Sequence, residues 1–172
     1  MTVILRSRIN TMKKFLAIIF TTLFLVCSVI PAAHAESNTM NYLYETSSYT
    51  EYFEDGSYIV TTIKQSPTVR STTYTKVGEK HVDLYNSSDE LQWSYTLIGT
   101  FYVNEGVSAV CTESTYSSTI YENSWSLTAH DNSYSNNIAH GTATYKKKVL
   151  FITTNVRDVD VSIGCDIYGN VG

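Results

Sequence analysis

The chain has 172 residues, with 16 acidic against 12 basic side chains and a formal net charge of −4. This acidic balance disfavours nucleic acids and anionic membrane surfaces as partners. All 14 tyrosines follow residue 35, and together with abundant threonine and valine they favour pleated, half-buried surfaces. The composition therefore points to β-structure.

The first 35 residues have the organisation of a secretory signal peptide. A short basic start at 12–14 precedes an apolar run at 15–30, and a small-x-small motif ends at Ala35. A membrane anchor is the alternative, but the run is shorter than the ~20 residues that a bilayer requires. We predict cleavage after Ala35. Removal of the four basic residues of this segment changes the formal charge from −4 to −8.

Residues 36–172 are predicted to form a single secreted β domain, which is long enough to bury a core. The strongest alternation of apolar and polar residues lies at 91–103 and predicts a long strand with one face in the core. Its inward side chains are Leu91, Trp93, Tyr95, Leu97, Phe101 and Val103.

Similar patterns place further strands on both sides of this segment. Asp55-Gly56 between two such runs predicts a hairpin, because glycine accepts a positive φ. Small inward residues at 139–147 predict close packing against Trp93 or Trp125, and 131–137 is predicted to be a polar loop. Residues 71–77 and 81–85 are predicted to be a strand pair or one bent strand interrupted at Gly78. The other predicted strands are 42–44, 49–53, 57–63, 107–116, 119–121, 124–130, 149–153 and 156–167.

Eight to ten short strands joined by turns predict an all-β fold, a mostly antiparallel β-sandwich, with a small β-barrel as the alternative. The spacing of Cys111, Trp125 and Cys165 is similar to that of an immunoglobulin domain. Ile163, however, stands where the corner tyrosine of that fold would be, so the likeness is an analogy of architecture only.

Two cysteines remain after the signal peptide, Cys111 and Cys165, both at inward strand positions. In an oxidising compartment they are predicted to form a disulfide. By the chain-entropy model, this bond would raise the free energy of unfolding by about 4 kcal/mol. The alternative is a pair of buried free thiols that pack as small apolar groups.

His130 and His140 are the weak candidates for a metal site. A symmetric hairpin centred on residue 135 would make them face each other, and Asp131 could add a carboxylate. Because no third strong ligand is fixed by spacing, two solvated histidines are the competing interpretation. We expect no cofactor.

Other polar and aromatic groups have ordinary structural interpretations. Asp158 and Asp160 are expected to charge an edge strand, and the lysine run at 146–148 is expected to be a solvated strand end. Three tyrosines are expected on outer faces, where they could stack on a sugar or contact a protein, or simply pair across strands: Tyr102, Tyr116 and Tyr121.

A group of short motifs lies between residues 57 and 165: Asp83-Leu84-Tyr85-Asn86-Ser87-Ser88, Leu91-Gln92-Trp93, Gly99-Thr100-Phe101, Cys111-Thr112, Trp125, Ala143-Thr144-Tyr145 and the late Cys165. In this pattern the chain resembles small secreted β-domain proteins of Gram-positive gut bacteria in the Firmicutes. The resemblance implies an extracellular β domain and no catalytic residues. Because that family tends to have serine or threonine at the positions of His130 and His140, it implies no general histidine site.

These observations favour a secreted, extracellular, non-enzymatic binding or surface-interaction protein. The expected partner is an extracellular protein or a glycan, with no nucleic acid and no membrane in the mature form. Two alternatives remain: a small secreted hydrolase or metal-dependent enzyme that uses His130 and His140, and a secreted toxin or inhibitor. No G-x-S-x-G nucleophile motif occurs.

Overall fold

The computed structural model of the protein describes residues 42–69 and 71–172. The predicted signal peptide, with its cleavage site after Ala35, lies outside these residues. The described residues form eight strands: β1 (Tyr44–Tyr52), β2 (Tyr58–Gln65), β3 (Thr73–Tyr85), β4 (Leu91–Asn104), β5 (Ser108–Ile120), β6 (Trp125–Ser135), β7 (Ile138–Val149) and β8 (Ile152–Gly164). Within this part of the chain no helix is long and apolar enough to cross a membrane.

The strands make two antiparallel sheets that pack face to face. One sheet has five strands in the order β1-β2-β3-β4-β5, and the other has three in the order β6-β7-β8. Every neighbour in a sheet is also a neighbour in sequence, so each connection is a hairpin, apart from the β5–β6 link between the sheets. The all-β sandwich is confirmed, and the alternative of a small closed barrel is wrong.

Strand β4 lies at the centre of the core. Trp93, Tyr95, Leu97, Phe101 and Val103 are fully buried, as the alternation at 91–103 predicts. Residues two apart on a strand point to the same face, so this set forms one continuous apolar row. The row packs against the inner face of the three-stranded sheet.

The two sheets are joined by a stack of aromatic rings. The rings of Trp93 and Tyr145 are parallel within 2° and their centroids are 3.9 Å apart, while Trp125 meets Trp93 edge-on at 6.3 Å. The buried Tyr145 hydroxyl shares a hydrogen bond of 2.6 Å with Ser118 Oγ. The Tyr145 end of the contact is therefore hydrogen-bonded, whereas the Trp93 indole Nε1 is buried without a hydrogen-bond partner among the described residues.

Strand β7 approaches β4 closely because its inward residues are small. Ala139, Gly141 and Ala143 are buried, as predicted. A Cβ atom on Gly141 would overlap the Tyr95 hydroxyl and would lie 2.9 Å from Leu97 Cδ1. The predicted close packing is thus correct, but the bulky partners at this glycine are Tyr95 and Leu97.

Several predicted boundaries are wrong. β1 and β5 each span parts of two predicted strands, and β3 runs unbroken through the predicted interruption at Gly78, which pairs with Gly99 of β4. β6 continues to Ser135, so the predicted polar loop at 131–137 is largely strand. The predicted strand at 149–153 is instead the turn of the β7–β8 hairpin, with Leu150 and Phe151 at its centre.

The sandwich is closed along one side and open along the other. On the β5–β6 side, Asn132 Nδ2 donates to the Ser114 carbonyl and Cys111 N donates to the Asn136 carbonyl. On the opposite side the wider sheet overhangs the narrower one, and all nine residues of β1 are exposed. A groove of about 140 Å³ runs there between β1–β2 and β8.

Gly141→Ala tests the close approach of the sheets. We expect the substitution to lower the free energy of unfolding by about 1–3 kcal/mol, because the new methyl group displaces the Tyr95 or Leu97 side chain. Urea denaturation measures the change. Gly164→Ala is the matched control, since its Cβ atom would be 3.6 Å from the nearest neighbour. Equal stability of the two variants would contradict this packing.

Candidate functional site

A cleft of about 190 Å³ opens at one end of the sandwich, where the β1–β2 turn meets the loop before β4 and the start of β6. We call it the end cleft and define it by Asp55, Tyr85, Trp125, Lys147 and Arg157, which all line it. Both sheets contribute to the cleft. Asp55 comes from a turn of the five-stranded sheet and Tyr85 from its β3, and the other three residues come from β6, β7 and β8 of the three-stranded sheet. The cleft therefore combines charged groups with aromatic walls.

The charged side of the cleft is an ion pair between distant parts of the chain. Gly56, with φ of 78°, closes the β1–β2 turn and places Asp55 towards β8. Arg157 Nη2 donates to Asp55 Oδ2 at 3.1 Å, and Ser57 N donates to Asp55 Oδ1 at 3.0 Å. The hydrogen bonds from Ser57, helped by the Arg157 charge, lower the pKa of Asp55.

Arg157 is held in a fixed position by more than this pair. Its guanidinium carbon lies 4.1 Å from the centre of the Phe53 ring, in cation–π geometry. Its Nε atom is buried and has no hydrogen-bond partner among the described residues. A buried donor without a partner costs free energy, and this cost is borne by the packing that fixes the guanidinium.

The apolar side of the cleft is built on Trp125. Its indole Nε1 donates to Gln92 Oε1 at 3.4 Å, which links the first residue of β6 to the wider sheet. Lys147 Nζ lies 5.9 Å from the centre of the indole ring. Lys147 thus places a positive charge at the rim of the cleft, beside an aromatic surface.

Three tyrosines continue from the cleft across the outer face of the wider sheet. Tyr52, Tyr58 and Tyr85 occupy paired positions on β1, β2 and β3, and we call them the tyrosine row. Neighbouring ring centroids are 5.3 and 5.1 Å apart. The Tyr58 hydroxyl donates to Asp89 Oδ1 at 2.9 Å, and this hydrogen bond raises the pKa of Tyr58.

The tyrosines predicted to be exposed have different outcomes. Tyr102 and Tyr121 are exposed, as predicted. Tyr116 instead points inwards and packs against Tyr95 and His130, with ring centroids 5.9 and 4.5 Å away. The prediction was wrong because a β-bulge after Cys111 reverses which residues of β5 face the core.

The structure separates the two candidate histidine ligands. The β6–β7 hairpin turns at residues 136–137, not at 135, so His130 pairs with Ala143 and His140 pairs with Ser133. His130 therefore shares the inner face with Ala143, whereas His140 lies on the outer face and hydrogen-bonds to Ser162 Oγ at 2.8 Å. Among the described residues, no group of three or more histidine, cysteine or acidic side chains could hold a metal.

A third histidine takes part in a short polar chain on the outer face of β3 and β4. His81 Nδ1 lies 3.0 Å from Thr96 Oγ1, and His81 Nε2 lies 2.8 Å from Glu79 Oε2. This order of hydroxyl, imidazole and carboxylate is that of a nucleophilic triad. The amides around it are paired in the β3–β4 ladder and do not form an oxyanion hole.

Cys111 and Cys165 are buried and free in the structure, so the predicted disulfide between them is not present there. The two residues are nonetheless neighbours. Cys111 N donates to the Asn136 carbonyl at 2.7 Å and Cys165 N donates to the Asn137 carbonyl at 3.1 Å, at the same turn. Burial raises the pKa of both thiols, that of Cys165 to about 11.

Lys76, which sequence patterns do not single out, is fully buried near this pair. Its ammonium group donates to the Ser66 carbonyl and, at 3.3 Å, to Thr68 Oγ1. Burial lowers the pKa of Lys76, and the nearby Cys165 opposes that shift. The lysine closes the interior at the end of the sandwich opposite the end cleft.

The grouping of residues in the end cleft also escaped prediction, although Trp125, Lys147 and the turn at Asp55 were each noted in the sequence. Asp55 and Arg157 are about a hundred positions apart, and no spacing rule connects them. Asp158 and Asp160 are exposed on β8, an edge strand of the described sheet, as expected. The one usable signal for the pair was the Asp-Gly turn, which placed Asp55 in a hairpin turn but did not indicate its partner.

Asp55→Asn tests the ion pair through its pH dependence. A carboxyl group with a lowered pKa stabilises the fold above its ordinary value of 3.8, and this stabilisation is lost as the pH falls through the folded-state pKa. We expect the variant to be less stable than wild type by up to about 1 kcal/mol near pH 7. The difference should disappear as the pH falls well below 3.8, as judged from urea midpoints.

Glu54→Gln is the control for this experiment, because it removes the same charge from the adjacent residue. A pH-dependent loss of equal size in both variants would indicate a general charge effect and would contradict a specific pair between Asp55 and Arg157.

No protein-family model, curated protein or solved structure matches the chain. A function for this domain must therefore be argued from the end cleft, the tyrosine row and the chain's own sequence.

Proposed function

We propose that the protein is a secreted, non-enzymatic binding module that recognises carbohydrate outside the cell. The observation that carries this proposal is the end cleft, in which aromatic walls and charged hydrogen-bonding groups from both sheets converge on one concave site. The leader at residues 1–35 and the resemblance to small secreted Firmicutes proteins support export.

The chemistry of the cleft suits a sugar. A sugar ring has an apolar face of C–H groups, which stacks on aromatic rings, and a rim of hydroxyl groups, which require donors and acceptors. The half-buried Tyr85 supplies aromatic surface, to which Trp125, 6% exposed, adds little. Asp55 supplies an acceptor, and Lys147 and Arg157 supply donors.

The tyrosine row extends this surface beyond the cleft. Tyr85 belongs to both, and Tyr52 at the far end of the row is largely exposed. A ligand longer than one ring could therefore occupy the cleft with one residue and contact the row with the next. This arrangement favours an oligosaccharide over a single sugar.

The number of carboxylates supports binding over hydrolysis. Most glycoside hydrolases use two acidic residues on opposite sides of the scissile bond. Among the described residues that line the cleft, Asp55 is the one acid, and it is engaged by Arg157 and Ser57. A bound sugar would meet a fixed acceptor and not an acid–base pair.

We also propose that Cys111 and Cys165 become a disulfide after export. Their amides bind neighbouring carbonyls of one turn, and both side chains are buried. Oxidation would link β5 of one sheet to the end of β8 in the other, where the interior is already closed by Lys76. Export supplies the oxidising environment.

Tyr85→Ala tests carbohydrate binding. We expect wild type to bind a subset of ligands on an array of cell-surface oligosaccharides without changing their mass. The variant should bind them about tenfold more weakly in calorimetry, because it loses an aromatic contact. Tyr102→Ala, on the same outer face at the opposite end, should bind as wild type does. Absence of binding to every glycan, or release of a cleaved product, would contradict the proposal.

Mass spectrometry of the exported protein tests the disulfide. Under denaturing conditions without reductant, we expect neither cysteine to react with a thiol reagent, and both to react after reduction. Cys165→Ala should lower the free energy of unfolding of the oxidised protein by about 2–4 kcal/mol. Two reactive thiols in freshly exported protein would contradict the proposed disulfide.

A further inference from the structure

The turn between β7 and β8 exposes four consecutive apolar side chains, and we call it the hairpin tip. Val149, Leu150, Phe151 and Ile152 have exposed fractions of 49, 85, 99 and 68%. Hairpin turns ordinarily carry glycine, asparagine or aspartate at their centre. The tip therefore exposes large apolar side chains that contribute little buried surface to the folded domain.

The backbone of the tip is strained by these residues. Leu150 and Phe151 have φ angles of 48° and 69°, in the left-handed region that bulky side chains rarely adopt. Two central residues at positive φ characterise the type I′ turn, for which Asn-Gly is the favoured pair. Strain of this kind occurs where particular side chains are needed for function.

Positive charge lies directly behind the tip. Lys146, Lys147 and Lys148 precede it on β7, and residues 146–156 include no acid. Lys147 points towards the end cleft, whereas Lys146 and Lys148 belong to the opposite, outer face of the hairpin. The base of the tip is fixed, because Lys148 N donates to the Ser124 carbonyl at 2.8 Å.

We propose that the hairpin tip inserts into the surface of a bilayer that contains anionic lipids, with its apolar side chains below the headgroups and the lysines at the phosphates. Amphipathic surface elements of this kind bury apolar groups about 5–10 Å into the interface. Lysines beside such a group add attraction to anionic lipid. This inference goes beyond carbohydrate binding and revises our expectation that the mature protein does not contact a membrane.

The shape and chemistry of the tip favour lipid over a protein partner. The tip is convex, two residues wide at its end, and projects from the last cross-strand pair, Val149 and Ile152. A protein would need a matching apolar pocket with acidic groups at its rim. A bilayer accepts a convex apolar tip of any shape and offers phosphates at the level of the lysines.

The negative charge of the whole domain does not oppose this contact strongly. At physiological ionic strength, charges farther away than about 8 Å are largely screened. Once the tip touches the surface, the nearest charges along the hairpin are the lysines. Three acids lie in the adjoining turns. Asp55 is paired with Arg157, and the three lysines outnumber the remaining two, Glu54 and Glu122.

The test is flotation with vesicles of equimolar phosphatidylglycerol and phosphatidylcholine. Full-length chains are expressed with export, and the recovered proteins are compared, so any contribution of residues 1–41 is common to all variants. Leu150→Asn combined with Phe151→Gly creates the favoured turn pair. We expect this double variant to unfold at a higher temperature than wild type and to bind the vesicles at least about tenfold more weakly.

A higher unfolding temperature combined with weaker vesicle binding would show that the double variant is folded and has lost binding alone. Val107→Ser is the matched control, because Val107 is 70% exposed in the β4–β5 turn at the other end of the sandwich. It should bind as wild type does. Lys146→Gln combined with Lys148→Gln should weaken binding to the mixed vesicles much more than to pure phosphatidylcholine.

Failure of this inference is distinguishable from failure of carbohydrate binding. Tyr85→Ala should bind vesicles as wild type does, whatever its effect on glycan binding. Equal flotation of wild type and the double tip variant would overturn the inference. A wild-type dimer that the tip substitutions convert to a monomer, without effect on flotation, would assign the tip to a contact between copies of the chain and would also overturn it.

Discussion

The stacking of Trp93 on Tyr145 holds the two sheets together, and other features of the domain accommodate it. Two large rings can lie parallel at 3.9 Å only if the strands that carry them come close, and β7 permits this with Gly141 and Ala143 beside the tyrosine. The tyrosine hydroxyl reaches Ser118 at the end of the contact, so this polar atom of the stack is buried with a partner, unlike the indole Nε1 of Trp93. A bulkier β7 would move the sheets apart and expose the whole apolar row of β4.

This central contact determines where binding groups can lie. The middle of the sandwich is filled with rings, and one end is closed by Lys76, by the two cysteines and by the hydrogen bond from the Tyr74 hydroxyl to the Tyr168 carbonyl. The other end carries both the end cleft and the hairpin tip, which are joined through Lys147 and β7. A glycan and a membrane surface could thus be approached from the same direction, which suits a module that acts on a cell envelope.

Features that depend on one strand could be predicted from the sequence, whereas features that depend on register could not. The alternation in β4 and the small residues of β7 identified the core, because a side-chain period of two is a local property. His130 and His140 were placed wrongly because a hairpin centre displaced from 135 to 136–137 puts them on opposite faces. The predicted outward orientation of Tyr116 was wrong because of a single β-bulge in β5. The turn at Leu150 and Phe151 was missed because its residues have no turn preference, and the Asp55–Arg157 pair joins segments that only the packed sheets bring together.

The unequal widths of the five-stranded and three-stranded sheets affect how the domain unfolds. Nothing in the three-stranded layer covers β1, whose residues are all exposed, and hydrogen bonds to β2 hold it in place. Its amides should exchange with solvent while those of β4 remain protected, so the strand can detach as a separate unit without loss of the core. A detached β1 would leave the edge of β2 available to an extended peptide, and the domain would then accept a foreign strand at a position that its own chain normally fills.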